Sequence, residues 1–281
     1  MMTILITGSK GQLGMELQKL LDEKGMNYTA TDSGEMDITN KTAVDAFFQK
    51  VNPTLVFHCA AYTAVDKAED EGKDLNEKVN AIGTKTIAEA AEAHGAVMVY
   101  ISTDYVFDGN NSKEYTEIDQ ANPQNEYGRM KYEGEQWVQN ICSKYYIIRT
   151  SWVFGEFGNN FVYTMLRLAK THPVLTVVDD QIGRPTWTRT LAAFMLHLLD
   201  TDAVFGLYHL SNDGSCSWYE FACEILKDYD VEVKPVSSAE YPQKAYRPKH
   251  SIMDLSKAKA TGFQIPTWEE ALSQFVASID A

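Results

Sequence analysis

The 281-residue chain is short of positive charge: 25 lysines and arginines face 39 acids, a formal net charge of −14. A field of that sign repels nucleic-acid phosphates and anionic lipid surfaces, so neither is an expected partner. It also sets a condition on any phosphorylated ligand, whose binding would need local cations. Cysteine is scarce too. Cys59, Cys142, Cys216 and Cys223 include no CxxC spacing, which argues against a zinc site and a disulfide scaffold and fits the reduced thiols of a cytoplasmic protein. No apolar run approaches the roughly 20 residues that span a bilayer. Residues 1–3 lead straight into a strand-like run with no charged n-region and no long apolar h-region, so no signal peptide is expected. Internal repeats and low-complexity segments are absent as well.

What is present is an alternation. Short apolar runs at residues 3–7, 28–31, 55–58, 97–102 and 145–149 are separated by amphipathic stretches. Leu13, Leu17, Leu20 and Leu21 recur at helical spacing, as do Val44, Phe47, Phe48 and Val51, and residues 80–94 form an alanine-rich third stretch. This pattern predicts an α/β fold, a Rossmann-like doubly wound parallel sheet with helices on both faces. Ligands of such folds bind beyond the carboxyl ends of the strands. Beyond about residue 155 the pattern loosens, and six of the eight prolines fall there: Pro173, Pro185, Pro235, Pro242, Pro248 and Pro266. Helices are expected near residues 161–170, 188–199, 218–229 and 267–278. The division that follows is a dinucleotide-binding domain at 1–155 and a smaller, mainly substrate-binding lobe at 156–281, with the chain crossing back between them.

Gly8, Gly11 and Gly14 lie between the first strand and first helix, in the order GxxGxxG rather than GxGxxG. Glycines there let the backbone turn tightly and approach a pyrophosphate, and the helix N-terminus supplies free N–H groups and a positive dipole. Asp32 follows the second strand, where an acid holds the adenosine ribose and repels a 2′-phosphate, which favours NADH. An ordinary turn aspartate beside Ser33 and Gly34 is the competing reading. Asp37 and Ile38 lie at the next loop, suited to flank adenine. Ala60, Ala61, Tyr62 and Thr63 follow the third strand, where small residues let a cofactor lie against the backbone. His58 reads as a packed or capping residue rather than a ligand.

Tyr127 and Lys131 stand at i, i+4 on one helix face. A free phenol, with pKa about 10, is too weak an acid for proton transfer near neutrality, and a neighbouring ammonium lowers that value. Such a tyrosine can protonate the alkoxide formed when a carbonyl takes up hydride. Thr103, 24 residues upstream at a strand end, can donate to the same oxygen. Alone, a Tyr/Lys pair is usually a solvated helix surface. Here it shares the strand-end face with Thr103 and the glycine turn.

This constellation resembles the extended short-chain dehydrogenase/reductase superfamily. Longer strings narrow the resemblance to its dTDP-4-dehydrorhamnose reductase family: residues 63–69 (TAVDKAE), 102–107 (STDYVF), 149–154 (RTSWVF), 158–161 (GNNF), 180–186 (DQIGRPT) and 247–251 (RPKHS). The resemblance spans nearly the whole chain. It implies reduction of the 4-keto group of dTDP-4-dehydro-L-rhamnose by NADPH or NADH, a step of nucleotide-sugar and polysaccharide biosynthesis. It makes Tyr127 the proton donor, Lys131 its partner and Thr103 an aid to proton transfer. It puts Asp104 on the sugar and Trp152 beside the substrate, Gly11, Gln12 and Leu13 at the pyrophosphate, and Asp32, Asp37, Ile38, Ala61, Tyr62 and Thr63 elsewhere along the cofactor. Asn159 and Asn160 read as helix caps. Arg184, Arg247, Lys249 and His250 are the candidate cations for a nucleotide diphosphate.

Some members of this family form dimers bridged by Mg²⁺ on glutamates. Glu16 fits one such position, but Arg189 stands where another acid is expected, so no bridging metal and a monomer or weak dimer are expected. Two alternatives remain open: a reductase of another 4-keto-6-deoxy sugar nucleotide, and a binding subunit like the regulatory subunit of methionine adenosyltransferase. The intact Thr103/Tyr127/Lys131 trio favours an enzyme.

Overall fold

The computed structural model describes residues 2–279; Met1 of the N-terminal reading and the last two residues of the second segment lie outside it. The first unit runs β1 (Ile4–Thr7), α1 (Gln12–Glu23), β2 (Tyr28–Thr31), α2 (Lys41–Val51) and β3 (Leu55–His58). Then come α3 (Lys73–Asn76), a wide π turn (Glu77–Gly83) and α4 (Thr84–Ala93), so the third helical stretch begins earlier than residue 80 and is irregular. β4 (Val97–Thr103), α5 (Glu126–Ile141) and β5 (Tyr145–Thr150) complete the alternation. Each strand falls within a residue or two of its apolar run.

The second half holds β6 (Val153–Phe154), α6 (Phe161–Ala169), β7 (Val174–Val178), β8 (Ile182–Gly183), β9 (Thr186–Trp187) and α7 (Thr188–Asp200). It continues with β10 (Gly206–His209), β11 (Cys216–Ser217), α8 (Trp218–Ile225), β12 (Glu232–Val236), α9 (Ser256–Ala260) and α10 (Trp268–Ile279). The main sheet has the order β10-β5-β4-β3-β1-β2, and every pairing in it is parallel. The crossing back is thus specific: α7 packs on α1, and β10 adds the sixth strand beside β5.

Strand alternation builds two cores. Ile4, Ile6 and Phe57 join Leu17, Leu21, Leu191 and Phe194 on one face, while Leu5, Val56 and Ile147 join Val44, Phe48, Ile87 and Val138 on the other. Both faces of β1 and β3 are covered, which is why their sequences read as continuous apolar runs rather than alternating ones. A third core, around Phe154, Val162, Phe221 and Phe275, holds the smaller part together. Among the described residues, no helix is long and apolar enough to cross a membrane.

The order in which strands are added reverses between β1 and β3, and the glycine turn sits at that switch point. Gly8 has φ +67°, and a Cβ on it would lie 2.5 Å from the Ala60 nitrogen. Gly14 lets α1 sit on the same turn: its Cβ would lie 2.2 Å from the Gly8 carbonyl oxygen. Gly25 shares the positive φ, at +65°, but has open space around it. Gly25→Ala is therefore expected to cost only the backbone strain, roughly 1–2 kcal/mol. Gly8→Ala adds a backbone collision and is expected to cost about 3 kcal/mol or more. Thermal unfolding of the two variants checks the difference.

Candidate active site

Three adjoining cavities run along the carboxyl ends of the strands. The first, about 340 Å³, is lined by Thr31, Asp32, Asp37, Ile38, Ala60 and Tyr62. The second, about 690 Å³, holds Thr103, Asp104, Tyr127, Lys131, Trp152 and the start of α1. The third, about 310 Å³, lies between Tyr105, Met165, Trp218, Tyr241, Gln243 and Arg247. Gly11, Cys59 and Ala61 line both the first and second, and Tyr105 and Trp218 both the second and third.

Gly11 is the N-cap of α1 and offers no side chain to its amides; Gln12 and Leu13 follow it on the cavity wall. Gln12 is held from the second half of the chain. Asn160 donates to its Oε1 at 3.2 Å, and a Cβ on Gly158 would press within 2.9 Å of its Cγ. Asn160 also caps α6 by accepting from the Tyr163 amide, as its sequence setting suggested, while Asn159 lines the middle cavity. The loop after β3 is fixed by Asn80, whose side chain accepts from the Tyr62 amide at 3.0 Å and donates to the Tyr62 carbonyl at 2.9 Å. Thr63 reaches the middle cavity. Asp32 accepts from the backbone amides of Lys10 (3.2 Å) and Ser33 (2.8 Å). Burial alone would raise its pKa, but these donors and the Lys10 ammonium hold it below the usual carboxylate value. Asp37 uses one oxygen to accept from the Thr39 amide and hydroxyl.

Asn125 begins α5 as its N-cap, accepting from the Gly128 amide, and so sets the helix that carries Tyr127 and Lys131. The Lys131 ammonium lies 4.2 Å above the Tyr100 ring and is buried. Burial pushes its pKa down to about 7, against the pull of Glu135 one turn on. Glu135 is already engaged: Arg149 donates to both its oxygens, at 2.8 and 2.6 Å.

The sequence predicted that the ammonium would lower the Tyr127 pKa. The structure reverses this. Burial, then the neighbouring Asp104 carboxylate, hold the phenol above its ordinary value, with the Thr103 hydroxyl acting the other way. A desolvated phenol beside a carboxylate keeps its proton. Thr103 donates to Asp104 Oδ1 at 3.1 Å, while Asp104 Oδ2 is buried without a partner. Burial raises Asp104 to about 6.

The candidate cations divide. Arg247 faces the third cavity, paired with Asp66 at 2.9 Å. Arg184 does not face any of the three cavities; its guanidinium donates to Glu114 Oε1 (2.6 Å) and the Met253 carbonyl (3.0 Å). The Arg184 guanidinium is thus engaged within the protein, with its Nε buried and unpartnered. Lys249 lies on the surface 3.8 Å from Asp180, and His250 bridges to Ile182, both outside the three cavities. His58 is packed, hydrogen-bonded to Thr7 (2.7 Å) and Thr84 (3.2 Å), and held neutral by burial with a pKa of about 3. Arg189 lies between Glu16, at 3.3 Å, and Glu23. Among the described residues, no group of three or more His, Cys, Asp or Glu is set to hold a metal.

Sequence reasoning passed over Lys10, Tyr105, Trp218, Tyr241 and Gln243, all cavity residues. Lys10 lies inside the glycine motif and Tyr105 directly after Asp104, so position could have flagged both. The other three carry no local signal.

The family profile described as the RmlD substrate binding domain matches residues 2–281. A dTDP-4-dehydrorhamnose reductase of Aggregatibacter actinomycetemcomitans is 41% identical, with 99% of each chain covered. A crystal structure of dTDP-4-dehydrorhamnose reductase from Bacillus anthracis str. Ames in complex with NADP superposes with TM-score 0.95 at 44% identity, covering 99% of both chains. Another, from Clostridium acetobutylicum ATCC 824, gives TM-score 0.96 at 46% identity over the full length of both. The chain belongs to this family.

The raised Asp104 and lowered Lys131 bracket neutrality. Asp104 ionises as pH rises through about 6, and Lys131 loses its charge above about 7. A bell-shaped kcat/KM is expected, with Tyr127 contributing no limb in this range. Asp104→Asn should remove the acid limb and leave the alkaline one, as pH-rate profiles of both proteins would establish.

Proposed function

We propose that this member of the RmlD family reduces the 4-keto group of dTDP-4-dehydro-L-rhamnose, with NADPH or NADH, to dTDP-L-rhamnose. The observation that carries the reading is the row of cavities with the Tyr127 phenol and Lys131 in the middle one. A dinucleotide entering from one end and a nucleotide sugar from the other would meet there.

The cradle fits a dinucleotide diphosphate on two counts. No side chain caps the first amides of α1, and Gly8 and Gly14 leave no room even for a Cβ between turn, helix and the β3 loop. Gly8, Gly11, Gln12, Leu13 and Gly14 form the pyrophosphate site in this reading. Asp32 takes the adenosine ribose, Asp37 and Ile38 flank the base, and Ala60, Ala61, Tyr62 and Thr63 line the path to the middle cavity. The Lys10 ammonium is taken up by Glu35 at 3.2 Å and Lys10 meets Asp32 through its backbone amide, so the acid corner stays negative. The nicotinamide supplies the hydride when bound.

Tyr127 then gives the proton. Its raised pKa keeps the phenol protonated at neutral pH, and the developing alkoxide is basic enough to take that proton. The charged form of Lys131 stabilises the phenolate left behind, and holds the nicotinamide ribose. With substrate bound, Thr103 would turn its hydroxyl proton from Asp104 Oδ1 toward the same carbonyl oxygen, and Asp104 Oδ2, with the Ser251 hydroxyl nearby, would accept from a sugar hydroxyl. Trp152 packs beside the sugar, and Arg247 offers charge to the diphosphate. The trio is intact, which favours catalysis over a binding-subunit role. Arg189, set between Glu16 and Glu23, occupies those carboxylates with its own charge, and we propose no bridging metal and a monomer or weak dimer.

Purified protein is expected to oxidise NADPH or NADH on addition of the keto-sugar nucleotide, and kinetics with both cofactors give the preference. Tyr127→Phe should lower kcat by roughly 10²–10⁴ while cofactor affinity, read by fluorescence titration, is kept; undiminished turnover would remove Tyr127 from the mechanism. Arg247→Met should raise the KM for the nucleotide sugar roughly tenfold and leave that for NADH alone. A chelator should not change the sedimentation coefficient; a dimer that dissociates with it would refute the metal-free reading.

A further inference from the structure

Trp152 is the one tryptophan among the described residues with a left-handed backbone, φ +48°. A bulky residue there is strained and persists only where its surroundings hold it. Two neighbours do so. The Trp218 indole stacks on it, with ring centroids 3.6 Å apart and planes 11° from parallel. Gly183 backs the same indole so closely that a Cβ would lie 2.6 Å from Cε2, 2.7 Å from Cζ2 and 2.9 Å from Nε1.

One small piece of secondary structure brings both neighbours to Trp152. β8 pairs antiparallel with β11, with Gly183 opposite Cys216. Trp218 begins α8 two residues later, its position fixed by the Ser217/Glu220 capping box. Trp218 also packs on Phe161 and forms a wall shared by the middle and third cavities. The strain at Trp152 is thus offset by contacts from a segment remote in sequence.

We propose that Gly183 and Trp218 are positioning residues. They lock the Trp152 indole between them as a fixed edge of the middle cavity, at the point where it opens toward the nucleotide end. With Trp218 on one face and Gly183 on the other, the indole turns an apolar edge to the cavity, and its placement sets how far the keto carbon sits from the end of the ligand held near Arg247. This rests on the reductase reading above. It gives the glycine of the DQIGRPT string a role that loop geometry alone does not, because β8 needs no glycine for its own backbone: Gly183 is absent from the positive-φ residues.

Stacked indoles give an exciton couplet in far-ultraviolet circular dichroism, a readout independent of activity. Gly183→Ala keeps every other side chain but puts a Cβ 2.6 Å from the Trp152 ring, so the indole has to leave its place in the stack. Trp218→Phe keeps an aromatic ring in the third core but ends the indole pairing. Both should lose the couplet and raise the KM for the keto-sugar nucleotide roughly threefold to tenfold, the range an aromatic contact of this geometry carries. The KM for NADH should stay within about twofold. Loss of the couplet with an unchanged sugar-nucleotide KM would reduce the stack to packing and overturn the proposal. So would a couplet that survives in Gly183→Ala, or both KM values rising together. Absence of turnover in the unmodified protein would sink the reductase reading instead. Thymidine diphosphate titrated against the couplet then decides: a ligand-dependent change lost in Gly183→Ala supports the lock, and none in the unmodified protein overturns it.

Discussion

A buried ion pair, Glu135 on α5 with Arg149 on β5, underlies the arrangement of the active site. The pair is almost fully buried and bidentate, and the Arg149 guanidinium also lies 5.0 Å from the Phe107 ring centre. Removing either partner would leave an uncompensated charge in the interior, a loss of about 3–5 kcal/mol. The pair fixes α5, the helix of Tyr127 and Lys131, against β5 in the sheet. It also bears on the electrostatics one turn away, because a Glu135 held by Arg149 raises the Lys131 pKa by less than burial lowers it. The ammonium is left over the Tyr100 ring, desolvated, and ready for a ligand's oxygens.

That shortage of counter-charge explains why the candidate site groups depart from their solution behaviour in opposite directions. Burial penalises whichever form is charged, so it raises Tyr127 and Asp104 and lowers Lys131. Spacing put the tyrosine and lysine on one helix face, and suggested that the ammonium would dominate the phenol. The three-dimensional surroundings reverse that order. For a proton donor the reversal is useful, because the phenol holds its proton until an alkoxide forms.

The fold was largely legible because the inner strands β1 and β3 are covered on both faces and so read as apolar runs. The helices around them keep a 3.6-residue apolar stripe. Three features escaped that logic. The π turn before α4 has no period of its own, yet Asn80 within it fixes the loop at Tyr62. β10 is as long as β1 but lies outside the regular strand-helix alternation, so its sequence does not assign it to a sheet. Arg184 looked like a ligand cation by residue type, but a buried guanidinium has five donors to satisfy and finds Glu114 and the Met253 carbonyl.

By itself the sequence determined the alternation that makes the sheet, the glycine turn at its switch point, and the Tyr127/Lys131 pair with Thr103. These depend on local periodicity and on residues a few positions apart. Only the tertiary structure decided which cations face a cavity, how Trp152 is held between Gly183 and Trp218, and which protons the site keeps at neutral pH. Those properties depend on burial and on partners 30 to 70 residues away. No local pattern encodes the desolvation that a folded neighbour imposes.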